Sequence, residues 1–189
     1  MKSKGKRIPL KLSSSESGFS LLEVIIAILT ITAFLTGTLQ LMAVDALYKV
    51  RSERQAQANF WIQEDFEDTK YLASTLDVNS TPANPNISLN VCTDRSEGYA
   101  TALRRELTAT PVPNPIPTDP QLVATREIVG KNYSLFRTFN TTLDNPHRLR
   151  IDYRVQLAQG ETANDYRNQE NVIARSSVEV IPDASFECP

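Results

Sequence analysis

The sequence holds a single histidine, His147, and only two cysteines, Cys92 and Cys188. One imidazole leaves little for a His-based metal centre or a Ser-His-Asp triad. Cysteines so far apart exclude a zinc spacing and a redox C-x-x-C. There is no glycine-rich phosphate loop. There is no basic excess either: 20 Lys and Arg stand against 22 Asp and Glu, for a formal charge of −2. Charge therefore does not suggest a nucleic-acid partner. With no constellation of catalytic groups, neither an enzyme, a metal site nor a cofactor is expected. At 41% hydrophobic and 22% charged over 189 residues, the composition is that of globular material in one domain rather than disordered chain.

What the chain does have is a long apolar run near its start. Residues 1–18 are basic, with Lys2, Lys4, Lys6, Arg7 and Lys11 against Glu16 alone. That asymmetry predicts a tail held on the cytoplasmic side. From Phe19 to Val44 the chain is apolar and free of proline. A helix of that length spans roughly 35–40 Å, enough for a hydrocarbon core of about 30 Å. Thr30, Thr32, Thr36 and Thr38 are tolerated there because each hydroxyl can bond back to a carbonyl of the preceding turn. A cleaved secretory signal does not fit, since the run is too long and no small-x-small site follows it. A lipoprotein signal would need a cysteine nearby. A plain signal anchor fits but leaves Glu23 without a purpose, and an ionisable group inside an apolar span reads first as functional. Cleavage between Gly18 and Phe19 would create a partner for it. The new α-amine, with a reference pKa of about 7.7–8.0, would be largely cationic at neutral pH and could pair with Glu23 of a neighbouring chain.

The stretch "GFSLLEVIIAIL", Gly18 to Leu29, resembles the signature of type IV prepilins and type II secretion pseudopilins: Gly, then Phe or Met, a small or polar residue, apolar residues, and Glu fifth after the cut. Gly18, Phe19, Ser20, Leu21, Leu22 and Glu23 match it, as does the short basic leader. The resemblance implies that a membrane prepilin peptidase cuts after Gly18 and N-methylates Phe19, and that Glu23 serves assembly. It also implies other pilin or pseudopilin subunits and an inner-membrane assembly platform as partners. The chain would begin as a single-pass protein of the bacterial inner membrane, N-terminus inside, and end in a periplasmic or extracellular filament. Many main-fibre pilins carry a Pro or Gly break in this helix; here only Gly37 could loosen it, which implies a minor pilin or pseudopilin. The stretch "VRSERQAQANFWIQEDFED" loosely resembles the V/I-type minor subunits.

Beyond Val44 no Gly or Pro occurs before Ser80, so the helix is expected to run to about Leu76. Ala58, Ile62, Phe66, Thr69, Ala73 and Leu76 recur at three- and four-residue steps as a buried stripe. Glu64, Glu67, Asp68 and Lys70 form the polar face. The charges Lys49, Arg51 and Arg54 below, and Glu64, Asp65, Glu67 and Asp68 above, read as a solvated face or as pairing between staggered subunits, at about 0–1 kcal/mol per exposed pair.

"STPANP", residues 80–85, ends the helix. "NISLNVC" is expected as a short strand, and a short helix within 94–109 is expected to be capped by Asp94 or Ser96. "TPVPNPIPTDP" reads as an extended polyproline-II connection. The remainder reads as strands: two around Gly130-Lys131-Asn132, then "RLRIDYRVQLA" with Leu149, Ile151, Tyr153, Val155 and Leu157 on one face. A last strand has Val172, Ala174, Val178 and Val180 on one side. The expected fold is α+β: one long N-terminal helix, half membrane-spanning and half amphipathic, covering an antiparallel sheet of about four strands, which is the architecture of pilin heads. The expected segments are the leader 1–18, the membrane or filament-core helix 19–44, its amphipathic continuation 45–78, a linker region 79–120 and the sheet 121–189.

Cys92 and Cys188 would both lie on the non-cytoplasmic side, where a disulfide between them can persist. Two free thiols, or pairing with another chain, stay open as alternatives. The loop residues Glu161, Asn164, Asp165, Asn168 and Glu170 offer oxygen ligands, and some pseudopilins bind calcium in such a loop. No D-x-D-x-D-G pattern is present, so a solvated loop is the expectation. His147, after Pro146, reads as a surface residue. The other function class is a membrane-anchored extracytoplasmic binding or adhesion domain that joins no filament.

Overall fold

The computed structural model describes residues 18–118, 120–165 and 169–189. It contains helix α1 (Leu21–Thr75), helix α2 (Tyr99–Thr108), strands β1 (Gln121–Ile128), β2 (Lys131–Thr142), β3 (Asn145–Leu157) and β4 (Val172–Val180), and a short 3-10 turn at Asp183–Glu187. The class is α+β, with the sheet antiparallel throughout in the order β1-β2-β3-β4. The chain divides into two compact units, Met1–Ala46 and Leu47–Pro189.

Helix α1 is 55 residues long and runs through Gly37 without interruption. Its first unit holds no buried residue among those described. The four threonines bond as expected, Thr30 Oγ1 to the Ile26 carbonyl at 2.8 Å, Thr32 to Ile28 at 2.7 Å, Thr36 to Thr32 at 2.8 Å and Thr38 to Leu35 at 2.9 Å. Each hydroxyl is thereby satisfied within its own helix, as a lipid environment demands.

In the second unit the helix has a dry face. Ala58, Ile62, Thr69, Ala73 and Leu76 are buried as the stripe requires, and Phe66 is half-buried. Trp61 joins them, and so do Arg54 and Asp65. The stripe packs in one core with Tyr133 and Leu135 of β2 and Leu149, Ile151, Tyr153 and Val155 of β3. Helix α2 supplies more of the cover than α1 alone could, with Tyr99, Ala100, Ala102 and Leu103 buried in that core and α2 packed on β3.

The β1–β2 hairpin turns at Val129 and Gly130, whose φ angles of 45° and 75° are both left-handed, as a two-residue primed turn requires. Lys131 and Asn132, expected in the turn, already pair with Ile128 and Glu127. Thr142 pairs with Asn145 to close the second hairpin. On β3 the alternation holds, with all five expected residues buried.

Three local expectations change. "NISLNVC" forms turns, not a strand: Ile87 and Val91 are buried but Leu89, which a strand would place beside them, is 91% exposed. Side chains of Asn84 and Ser88 accept the backbone N–H groups of Asn86 (2.8 Å) and Asn90 (3.3 Å), holding turn geometry locally. Helix α2 starts at Tyr99, and its N-cap is Gly98 with no side-chain cap bond; Asp94 instead accepts the Ser96 N–H at 2.8 Å in a turn before it. Glycine is needed at 98 because a Cβ there would lie 2.2 Å from the Pro146 carbonyl oxygen. The proline-rich segment is not uniformly extended. It turns after Pro111, where the Asn114 N–H donates to the Pro111 carbonyl at 2.9 Å, and Arg105 donates to the Asn114 carbonyl at 2.7 Å.

Candidate functional site

The residues that the sequence singles out begin at the entry to α1. Gly18, Phe19 and Ser20 precede the helix and are exposed, with Phe19 80% accessible. Apart from its own chain neighbours, no described atom lies within 4 Å of the position a Gly18 side chain would take. The residues on both sides of the Gly18–Phe19 bond are thus exposed. Ser20 is the N-cap: its carbonyl accepts the Glu23 N–H at 2.9 Å, and its hydroxyl accepts the Leu22 N–H at 3.2 Å. Glu23 is in the first turn, three residues after this cap, the spacing of an S-x-x-E capping box. A carboxylate there is favoured by the helix dipole, typically by 0.3–1 kcal/mol. The box itself is not closed, since the Ser20 hydroxyl serves the Leu22 N–H and not that of Glu23; the Ser-Leu-Leu-Glu spacing ahead of an apolar run is the sequence signal for this helix start. Residues 1–17, the rest of the expected leader, lie outside the described residues.

After the first turn, α1 exposes a continuous apolar surface, including Ile25, Ile28, Ile31, Phe34, Leu35 and Leu41. It is long and apolar enough to cross a membrane.

In the second unit, α1 meets the rest of the fold through three ion pairs, two of them buried on the helix side. Asp65 receives both Nε and Nη2 of Arg137, the first at 2.7 Å, and the two side chains are 7% and 9% exposed. Arg54 pairs with Asp165 and donates to the Val129 carbonyl at 3.0 Å. Glu64 takes Arg126 in a two-point bond at 2.6 and 3.2 Å, and that guanidinium lies 4.9 Å over the Trp61 ring. Thus Arg54, Glu64 and Asp65, read as part of a solvated or subunit-pairing face, are committed within the chain, while Glu67 and Asp68 stay exposed. The Glu64 carboxyl is held below its ordinary value by the hydrogen bond and charge of Arg126.

The acidic loop is not simply solvated. Burial pushes the Asp165 carboxyl up, but hydrogen bonds and charge from Lys131 and Arg54 outweigh it, and the net shift is downward. Lys131 Nζ lies 2.9 Å from both Asp165 Oδ1 and Asn164 Oδ1. Glu161 accepts the Asn132 amide at 3.0 Å. These oxygens face protein donors rather than converging on a cation site, and among the described residues no cluster of three or more His, Cys, Asp or Glu could hold a metal. Asn168 lies outside the described residues.

Cys92 and Cys188 form a disulfide, with Cα atoms 5.3 Å apart. It joins the turn region ahead of α2 to the segment after β4. His147 is half-buried and its Nδ1 accepts the Tyr99 N–H at 3.3 Å, serving the first turn of α2 where no local side chain does.

Comparison with protein-family models, with curated proteins and with solved structures found no match to this chain. The functional reading therefore stands on residues and geometry alone.

Proposed function

We propose that this chain is a prepilin-type structural subunit, a minor pilin or type II secretion pseudopilin, cut by prepilin peptidase between Gly18 and Phe19 and assembled into a filament through α1. The observation that carries the reading is the hexad Gly18-Phe19-Ser20-Leu21-Leu22-Glu23 at the head of an exposed apolar helix. An accessible Gly18–Phe19 bond is what a peptidase needs. An apolar helix surface with no buried residue needs lipid or other helices around it. The α+β head, with α1 continuing from the apolar segment into the amphipathic one, suits a subunit that stores its helix in the membrane and later packs it against neighbours. The partners of this reading are the peptidase, other pilin or pseudopilin subunits of the V/I-like minor class, and an inner-membrane assembly platform. The site is the inner membrane before assembly, and a periplasmic or extracellular filament after it.

A second reading is favoured by one observation. Glu23 sits in the first turn of α1, where the helix dipole favours a carboxylate, so the carboxylate by itself does not require assembly. On that reading the chain is a single-pass anchor for an extracytoplasmic binding domain. Mass spectrometry of the mature N-terminus separates the two. A peptide beginning at Phe19 with one added methyl group is expected; an intact residue 1–18 leader in every molecule would sink the filament reading.

A further inference from the structure

The outer face of the sheet, opposite the one that carries Arg137 to Asp65, has an unbalanced row. Elsewhere on this face cations meet anions. Arg148 pairs with Glu179 at 3.4 Å and Arg150 with Asp152 at 3.1 Å. The strand register then sets Arg154 of β3 directly opposite Arg175 of β4. Like charges directly opposite are destabilising in a sheet. Among the described residues neither guanidinium has an acidic partner. The nearest carboxylate along β3, Asp152, is already occupied, since it accepts from Ser177 Oγ at 2.6 Å, Asn140 Nδ2 at 2.7 Å and Arg150 Nε at 3.1 Å.

The two arginines line one shallow groove with Thr138, Asp152, Tyr153, Ser176 and Ser177, and the Asp152 carboxylate there is already taken up by Ser177, Asn140 and Arg150. Arg154 is half-buried, and its guanidinium lies 5.6 Å from the Phe136 ring centroid on β2, a contact that holds its plane. We propose that Arg154 and Arg175 form a binding site for one compact oxoanion dianion in solution, a phosphate or a phosphate monoester. Two planar forks supply a charge of +2 and paired N–H donors, the complement of a tetrahedral dianion. An extended polyanion or an anionic membrane surface fits less well, because the arginines are bordered in the groove by Asp152, whose charge is met by Arg150, and in the adjoining row by Glu179. This goes beyond the filament reading and does not rest on it.

The test titrates the full chain, in neutral detergent micelles, with inorganic phosphate, followed by calorimetry and by the thermal unfolding midpoint. Saturable one-site binding is expected, with a midpoint that rises as phosphate is added. R154Q and R175Q should each weaken binding by about tenfold or more, as loss of a charge-assisted fork does. R150Q, whose guanidinium rests on Asp152, should bind as the unmodified chain does. Without phosphate the midpoint of R175Q should equal or exceed that of the unmodified chain, because a repulsion has gone. Absence of saturable binding overturns the proposal. So does phosphate binding that is unchanged in the R154Q/R175Q double variant, or acetate competing equally at matched ionic strength. Binding of long-chain polyphosphate without binding of inorganic phosphate would replace the compact site with an extended polyanion surface.

Discussion

Helix α1 is two helices by chemistry. Between Leu21 and Ala46 it carries two charged residues, Glu23 and Asp45; between Leu47 and Thr75 it carries nine. The first stretch buries nothing among the described residues, and its only side-chain bonds beyond the cap are threonines serving their own helix. The second buries Trp61, Ile62 and Ala73, reaches across to the sheet with Glu64 and Asp65, and holds the Val129 turn and the Asp165 loop with Arg54. One stretch is complete as a secondary structure and incomplete as a surface. The other is finished by its own chain. Backbone regularity is common to both, so the difference lies wholly in what each side chain needs around it.

The largest way to break the finished half is to orphan a buried charge. Asp65→Ala leaves Arg137 unpaired in the core and should cost about 3–5 kcal/mol, while Asp65→Leu with Arg137→Met should recover most of it. Denaturant unfolding of the full chain in micelles reads both. Next comes the covalent tie: Cys92→Ser with Cys188→Ser should cost about 2–4 kcal/mol and should leave the α-helical content near the start of the chain unchanged. Gly98→Ala forces a Cβ onto the Pro146 carbonyl, so α2 or the start of β3 must shift, at about 1–3 kcal/mol.

A smaller effect sharpens the comparison through pH. The Asp165 carboxyl is depressed in the fold. Its contribution is therefore complete above the ordinary carboxylate value of about 3.9, and it is lost as pH falls through the depressed folded value. Asp165→Asn should lower stability at neutral pH and flatten its fall in acid, the slope being read from midpoints across that range. At the other extreme, Glu23→Gln should leave unfolding of the 47–189 unit unchanged. It should remove incorporation into filaments if assembly is its role, which immunoblotting of sheared filaments would show.

The long helix, the sheet and the inward face of β3 were legible because each is a long periodic signal with no competitor. Asp65 and Arg137 could have been found the same way: each falls on the buried face of its element, Asp65 between Ile62 and Thr69, Arg137 between Leu135 and Phe139. Opposite charges at inward positions of facing elements announce a pair. Residues 86–92 form turns and not the expected strand because alternation over seven residues is weak evidence beside Asn and Ser side chains that bond the nearby backbone. Gly98 and His147 could not be read, since the need for one and the use of the other arise only when β3 passes the start of α2. The hexad from Gly18 to Glu23 was legible as a local motif. The Ser20 N-cap is equally local, a serine directly ahead of an apolar run.

The sheet's neighbour-to-neighbour order has a temporal consequence. Every strand pairs with the one made just before it, so no strand has to wait for a distant partner, and short-range pairing of this kind favours rapid folding. A chain emerging from its N-terminal side can close hairpin by hairpin as it lengthens. The bond from Cys92 to Cys188 is different: it spans 96 residues and cannot form until β4 has passed. The disulfide is thus a record of completion, made only by a chain whose whole sheet has already arrived.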